Sequence, residues 1–306
     1  MKIAVVATGG VGGYFGARLA AAGEDVHFVA RGRHLEAIRQ HGLRVESANG
    51  DLRIRPANAT DKAEDIGPVD IVIFAVKLWD TEAAGILCKP LLGPDTAVIS
   101  FLNGVDSEDR LIPLLGGRHV MGGVAFIAST IGEPGLIKHT GTIARISFGE
   151  LDGKPRARGE RFLAACRAAG IDANLSNNIV RDLWGKFALL ASFSGVTCLT
   201  RTPMGPIRAE PATRELLVDA VREVIAVSSA RGIDLGADFI ERQKVMMANM
   251  PAEMKSSMLV DLERGNRLEL NWLSGAVARM GDKAKVPTPI HHFIHTALKI
   301  YEMGKS

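Results

Sequence analysis

Two short stretches in the first third of the chain are apolar at nearly every position. Residues 69–76 read VDIVIFAV, and residues 96–102 read TAVISFL. A strand with one face in water alternates apolar and polar side chains, so strands without alternation must be covered on both faces. Such strands belong to parallel sheets whose crossover helices pack on the two sides. The two stretches therefore predict an α/β domain with a parallel, doubly wound sheet.

The surrounding sequence divides the chain into two halves. Further strands are predicted at residues 2–6 and 25–30, helices at 12–22 and 34–41, and an antiparallel extension of the sheet at 120–149 followed by a helix at 156–169. Beyond about residue 177 the apolar positions follow only a helical period. Helices are predicted there at 178–197, 211–230, 237–248, 267–282 and 287–303. We therefore predict a Rossmann-type domain over residues 1–176 and an all-helical domain over residues 177–306.

The charge balance argues against nucleic acid as a partner. The chain has 37 basic and 34 acidic residues, a net charge of +3, and no basic run. It enters a strand directly after Met1 without a signal-peptide pattern, and its apolar stretches are interrupted before the roughly 20 residues that span a bilayer. We expect a cytoplasmic protein that binds neither nucleic acid nor a membrane.

Neither the cysteines nor the histidines follow a metal-binding pattern. The cysteines stand far apart in apolar surroundings, as expected of reduced core residues, at positions 88, 166 and 198. Three histidines cluster at positions 291, 292 and 295, but no cysteine or acidic residue follows them at a metal-ligand spacing. No metal site is expected.

A glycine-rich segment joins the first predicted strand to the first predicted helix. In the dinucleotide-binding fingerprint, the first glycine makes the tight turn, the second lets the backbone approach the pyrophosphate, and the third allows close helix packing. Here Ala7 takes the first place and Gly9 and Gly12 take the others. Alanine fits such a turn unless the residue requires a positive φ. We expect the cofactor to contact Ala7, Gly9, Gly10, Val11 and Gly12.

The residue that follows the second strand indicates which dinucleotide binds. A carboxylate there would bind the ribose 2′-hydroxyl of NAD, whereas an arginine accommodates the 2′-phosphate of NADP. This chain has Arg31 at that place and Arg33 close by. A guanidinium pairs well with phosphate through forked, charge-assisted hydrogen bonds. The alternative is an ordinary surface arginine, but the position favours NADP(H).

Two polar residues follow the apolar strands where ligands of such sheets bind. Lys77 comes directly after residues 69–76, and Asn103 comes directly after residues 96–102. Ligands of open α/β sheets lie beyond the carboxyl ends of the strands. Lys77 could instead begin a helix, and Asn103-Gly104 could be a simple tight turn. Their shared position favours contact with cofactor and substrate.

Two charged residues in the second half interrupt apolar helical patterns. Lys186 is in line with Ile179, Leu183 and Leu190, and Glu269 is in line with Leu273, Ala276 and Met280. Burying an ionised group costs several kcal/mol unless an opposite charge or a polar group meets it. The alternative is two helix residues whose long side chains reach water. A facing pair would make the lysine a candidate proton donor and the glutamate its organiser.

Four segments together resemble the ketopantoate reductase (2-dehydropantoate 2-reductase) family, and the resemblance covers nearly the whole chain. They are the N-terminal 32 residues, the FAVK and FLNG strand ends, LWGKFALLASFSGVTCLT around Lys186, and SSMLVDLERGNRLELNWLSG around Glu269. The resemblance implies a Rossmann domain followed by a helical domain like the C-terminal domain of 6-phosphogluconate dehydrogenase. It also implies NADPH-dependent reduction of the 2-keto group of ketopantoate, on the route to pantothenate.

The resemblance also implies roles for individual residues. Lys186 would donate the proton to the keto oxygen, and Glu269 would hold the substrate hydroxyl. Ser257 would contact the substrate carboxylate. Without the resemblance, it would be interpreted as an ordinary loop or N-cap serine. Lys77 and Asn103 would position substrate and nicotinamide.

The chain departs from the family pattern on the lysine helix. Where the family has asparagines four and eight residues after the lysine, this chain has Leu190 and Ser194. Leucine cannot replace an amide that binds a substrate hydroxyl. An alternative substrate is therefore another 2-keto acid, with a more apolar tail, and Ser194 remains a candidate substrate contact. A third alternative is an NADP-binding sensor without turnover, against which the retained Lys186 and Glu269 argue. The helical half could bury a homodimer interface, although no feature requires one.

Overall fold

The computed structural model describes residues 1–305, which form two compact units. The first comprises Met1–Leu102 and Asp106–Asp182, and the second comprises Asn103–Val105 and the chain from Leu183 onward. The three-residue segment that contains Asn103 thus belongs to the second unit, although the strand before it belongs to the first.

The first unit is built on one ten-stranded sheet in the order β4-β3-β9-β8-β7-β6-β1-β2-β5, with β10 beside β9. Strands β5, β2, β1, β6, β7 and β8 pair in parallel, and β8 pairs with β9 in antiparallel fashion. This confirms the predicted doubly wound sheet and its antiparallel extension. The strands are β1 (Lys2–Val6), β2 (Asp25–Val29), β3 (Leu43–Glu46), β4 (Leu52–Ile54), β5 (Asn58–Thr60), β6 (Val69–Phe74), β7 (Leu92–Ser100), β8 (Val120–Glu133), β9 (Leu136–Glu150) and β10 (Asp172–Leu175).

Strand β6 shows why its sequence lacks alternation. Consecutive side chains Ile71, Val72, Ile73 and Phe74 point to opposite faces of the sheet, and all four are fully buried. Both faces are therefore covered, as the apolar run predicts. The helices of this unit are α1 (Gly10–Ala21), α2 (Gly32–His41), α3 (Thr81–Leu87), α4 (Ser107–Leu115) and α5 (Ala157–Ala168).

The second unit is helical, and residues 183–305 contain no strand, as predicted. Helix α8 is its centre and packs against α7, α9, α11 and α12. The helices are α6 (Ile179–Thr200), α7 (Met204–Ala209), α8 (Pro211–Ala230), α9 (Phe239–Asn249), α10 (Ser257–Arg264), α11 (Ser274–Ala284) and α12 (Pro289–Leu298).

Helix α6 is the one helix among residues 1–305 that is long and apolar enough to cross a bilayer by length and composition. Its most apolar window is 67% buried inside the protein. Such burial is typical of the core helix of a folded unit rather than of a lipid-facing segment.

The predicted helix over residues 267–282 is wrong in its first half. Residues Leu270–Trp272 form a 3₁₀ turn, and α11 begins only at Ser274. Leu273 separates the two elements with φ −104° and ψ −102°, outside the helical region. The preceding backbone is held from outside the segment, because the Leu268 N–H donates to the Glu302 carbonyl at 2.8 Å. Glu269 therefore lies in a connecting segment, not on the helix whose apolar stripe it was expected to interrupt.

Candidate functional site

The glycine turn after β1 has the sterics of a nucleotide-binding turn. A Cβ on Gly12 would lie 2.5 Å from the Ala7 carbonyl oxygen, and one on Gly10 would lie 2.1 Å from the Ser129 carbonyl oxygen. Those two positions accept only glycine because the backbone approaches too closely for a side chain. At Gly9, the N-cap of α1, a Cβ would meet nothing within 4 Å. The backbone at Gly9, directly before the N-terminus of α1, thus has open space beside it, and a helix N-terminus favours an anionic ligand.

Ala7 adopts φ +69°, in the left-handed region. The departure from glycine is therefore not neutral, because an L-residue with a Cβ is disfavoured there by about 1–2 kcal/mol. The following residue, Thr8, is buried, and both its N–H and its hydroxyl donate to the Val29 carbonyl, at 3.0 and 3.1 Å. The ring of His34 donates from Nε2 to the Thr8 carbonyl at 2.8 Å. Tertiary hydrogen bonds therefore hold the turn on the side of Thr8.

The basic residues predicted to contact the cofactor or substrate in the first unit lie at exposed ends of secondary-structure elements. Arg31 is the N-cap residue of α2 and makes no side-chain capping bond, and Arg33 lies in the first turn; both are exposed. Two guanidinium groups thus stand beside a helix N-terminus, which itself favours anions. Lys77 is exposed at the start of the 3₁₀ turn Leu78–Asp80, with its Nζ 5.5 Å from the centre of the Trp79 ring.

In the second unit, one amide joins the lysine and the glutamate that the sequence singled out. Lys186 Nζ donates to Asn103 Oδ1 at 3.0 Å, and Asn103 Nδ2 donates to Glu269 Oε2 at 3.2 Å. The two charges determine the orientation of the amide, because an ammonium can only donate and a carboxylate can only accept. The structure therefore brings together three of the predicted site residues, although Lys186 and Glu269 meet through Asn103.

Burial sets the acidity of this lysine. Lys186 is half-buried on α6, and Glu269 is only 8% exposed. Desolvation lowers the pKa of Lys186 to about 8, while the negative charge of Glu269 acts in the opposite direction. A pKa near neutrality suits a general acid, because the group is still protonated at pH 7 yet releases its proton readily. The arrangement can hold a proton on Nζ and deliver it to a developing oxyanion.

The two serines named as substrate contacts are in different surroundings. Ser257 is exposed as the first residue of α10, while the neighbouring Ser256 caps the helix by accepting from the Leu259 N–H at 3.0 Å. The capping alternative thus belongs to Ser256, which leaves the Ser257 side chain available. Ser194 is fully buried, and its hydroxyl has no hydrogen-bond partner within residues 1–305. Leu190, one helical turn before it, is half-buried.

The clustered histidines are hydrogen-bonded within the fold, and the three cysteines are buried in its core. The ring of His291 bonds to the Ala220 carbonyl at 3.0 Å, that of His292 to Asp282 at 3.0 Å, and that of His295 to Asn271 at 2.8 Å. Within the described part of the chain, no three side chains of the metal-ligating types come together. The three cysteines are buried and unbridged, and desolvation raises the pKa of each thiol to about 12.

His34 contacts the glycine turn, although no sequence pattern singled it out. His34 contacts Thr8, 26 positions earlier, and also accepts from the Gly135 N–H at 3.0 Å, 101 positions later. Only the folded sheet brings these segments together, so no local pattern could have predicted the role of His34.

Comparisons with known proteins show which family the chain resembles. The family model described as ketopantoate reductase PanE/ApbA matches residues 3–153, and the model of the C-terminal domain of the same family matches residues 178–302. A 2-dehydropantoate 2-reductase of Mesorhizobium japonicum is 33% identical, with 94% of each chain covered. An uncharacterized oxidoreductase of Bacillus subtilis, YkpB, is 31% identical over the full length of both chains.

Comparison with solved structures points to the same family. The crystal structure of 2-dehydropantoate 2-reductase from Geobacter metallireducens GS-15 superposes with a TM-score of 0.91 at 32% identity, over 98% of this chain and 99% of that chain. The fold and both family models thus extend across the two units, and the resemblance seen in the sequence is confirmed. The chain belongs to the ketopantoate reductase PanE/ApbA family of oxidoreductases.

Proposed function

We propose that this protein catalyses the NADPH-dependent reduction of 2-dehydropantoate to pantoate, as a cytoplasmic enzyme of pantothenate biosynthesis. The observation that carries the proposal is the hydrogen-bonded chain from Lys186 through Asn103 to Glu269. Reduction of a ketone builds negative charge on its oxygen, and a desolvated ammonium both stabilises that charge and supplies the proton. A binding protein without turnover would have no use for a desolvated lysine with a lowered pKa.

The first unit supports NADP(H) as the cofactor. The glycine turn leaves Gly9 open, and α1 directs its N-terminal N–H groups toward a pyrophosphate, which would contact residues 7 and 9–12. Arg31 and Arg33 beside the N-terminus of α2 would bind the 2′-phosphate, which NADH lacks. When bound, NADPH supplies the hydride that adds to the keto carbon. Lys77 is assigned to cofactor and substrate positioning.

The second unit supports the proton-transfer half of the reaction. Lys186 Nζ gives its proton to the keto oxygen and regains one from solvent. Asn103 fixes the direction of the ammonium through its Oδ1, and Glu269 fixes the amide in turn. We assign the substrate carboxylate to Ser257 and the remaining polar contacts to Ser194, Asn103 and Glu269.

A second substrate class is favoured by the surroundings of α6. Leu190 offers no hydrogen bond at a position where the family has an amide, so one contact to the hydroxyl of 2-dehydropantoate is lost. The Ser194 hydroxyl, unpartnered within residues 1–305, could replace only part of it. The alternative is therefore the same chemistry on a 2-keto acid with an apolar tail.

A matched pair of substrates separates these alternatives. Trimethylpyruvate is 2-dehydropantoate with a hydrogen in place of the hydroxyl, so only one polar contact differs. Initial rates of NADPH oxidation give kcat/KM for both, with Lys186→Met as the inactive control. A preference for 2-dehydropantoate of about a hundredfold or more would support the first assignment. Equal or reversed preference would support the apolar substrate, and NADPH binding without turnover of any 2-keto acid would refute the reductase proposal.

A further inference from the structure

The glycine turn contains a conformational cost with no local compensation. Ala7 has φ +69°, which glycine adopts freely and alanine does not. Left to itself, the backbone at residue 7 would return to negative φ and would carry the following N–H groups away from the helix N-terminus. Two tertiary hydrogen bonds hold the peptides on either side of Ala7: the Val6 carbonyl accepts from the Ala75 N–H, and the Thr8 N–H donates to the Val29 carbonyl, both at 3.0 Å.

Hydrogen bonds also fix the next residue, Thr8. Its N–H and its hydroxyl both donate to Val29, at the end of β2, and its carbonyl accepts from His34 Nε2 at 2.8 Å. All three polar groups of Thr8 are therefore used, and the residue is only 2% exposed. The Thr8 N–H belongs to the Ala7–Thr8 peptide, which the Val29 carbonyl holds, whereas the Thr8 carbonyl belongs to the Thr8–Gly9 peptide. Within residues 1–305, the partner of that carbonyl is His34.

Its hydrogen bonds hold the His34 ring in one tautomer and one protonation state. A carbonyl can only accept, so the Nε2 that faces Thr8 must carry the ring proton. The Gly135 N–H donates to Nδ1 at 3.0 Å, so Nδ1 must be unprotonated. The ring is thus the neutral Nε2–H tautomer with both nitrogens bonded, and desolvation acts in the same direction by lowering the pKa of His34. Gly135 lies in the turn between β8 and β9, which anchors the ring from the far side.

We propose that His34 is a positioning residue for the cofactor: by bonding the Thr8 carbonyl, it fixes the Thr8–Gly9 peptide and so directs the open backbone at Gly9 toward the pyrophosphate. The inference rests on the proposed use of NADPH. It does not depend on the identity of the keto acid. Because the pyrophosphate is common to both nicotinamide dinucleotides, His34 acts on NADPH and NADH alike, in contrast to Arg31.

Three variants test this proposal. His34→Leu removes both bonds, His34→Gln places an amide nitrogen where Nε2 was and keeps a donor to Thr8, and His34→Asn cannot reach that carbonyl. Dissociation constants for NADPH and NADH are measured by titration of the protein without substrate, and thermal unfolding without cofactor shows whether each variant is folded.

We expect His34→Leu and His34→Asn to weaken both dinucleotides about tenfold, with kcat and the KM of the keto acid unchanged. His34→Gln should stay within about threefold of wild type, because it keeps the hydrogen bond to the Thr8 carbonyl. If His34→Leu does not fold, the comparison of His34→Gln with His34→Asn decides the matter.

Unchanged affinity in a folded His34→Leu protein, or equal affinities in His34→Gln and His34→Asn, would overturn the proposal. A loss of affinity for NADPH alone, with NADH binding unchanged, would also overturn the proposal. Wild-type protein that binds neither dinucleotide would instead remove the cofactor assignment, and the role of His34 with it.

Discussion

Replacing Glu269 with glutamine should move the pH dependence of the reaction toward acid. The new amide keeps a side-chain oxygen that can accept from Asn103 Nδ2, so the hydrogen-bonded chain can persist while the negative charge is lost. That charge opposes the desolvation that lowers the pKa of Lys186 to about 8. Without it, the ammonium is less stable and the lysine loses its proton at lower pH. The substitution therefore changes the acidity of the donor with little change in shape.

The size of the effect follows from the hydrogen-bonded chain. Two hydrogen bonds of 3.0 and 3.2 Å across one amide place the charges about 7 Å apart, which corresponds to about 2 kcal/mol at an effective dielectric constant near 20. At about 1.4 kcal/mol per pH unit, the alkaline limb of kcat should move from about pH 8 to between about pH 6 and 7. At pH 7.5 the protonated fraction of Lys186 would fall from about three quarters to about a tenth, so kcat should drop about eightfold.

The assay is the initial rate of NADPH oxidation at saturating keto acid, in buffers of constant ionic strength from about pH 5.5 to 9.5. The reduction needs the acid form of Lys186, so kcat is high below the limb and falls above it. Glu263→Gln is the matched control, because Glu263 is a surface partner of Lys255 in the same unit, and its loss should leave the limb in place. A limb that stays near pH 8 in the Glu269 variant, or moves to higher pH, would refute the electrostatic coupling.

Three further predictions concern single side chains. Lys186→Met should lower kcat about a hundredfold or more while leaving the NADPH dissociation constant unchanged, and equal losses in both would argue against proton donation. Arg31→Ala should weaken NADPH about tenfold to a hundredfold and NADH hardly at all, so matching losses in parallel titrations would remove the 2′-phosphate assignment. Ser192→Ala should lower the unfolding free energy by about 1 kcal/mol relative to Ser194→Ala, because only the Ser192 hydroxyl bonds, to the Ala188 carbonyl at 2.8 Å; equal denaturation midpoints would contradict this.

The sequence alone predicted those strands and helices whose pattern of apolar residues shows which faces are buried. Strand β6 lacks alternation because both of its faces are covered, and α6 carries Lys186 on a long helical pattern. The position of Arg31 after β2 and the glycines of the first turn also follow from local rules, since sterics and chain direction act over a few residues. These features needed no knowledge of distant partners.

Tertiary structure alone decided how those parts work together. Asn103 is 83 positions from Lys186 and 166 from Glu269, so no periodicity could show that its amide joins them. Glu269 is buried directly before the 3₁₀ turn Leu270–Trp272 rather than on the predicted helix, and the neighbouring Leu268 N–H donates to the distant Glu302 carbonyl. The left-handed conformation of Ala7 and the hydrogen bonds of His34 to Thr8 and Gly135 likewise depend on segments that meet only after folding. A local pattern records which face of an element is buried, whereas a hydrogen bond between loops depends on partners that the fold brings from elsewhere.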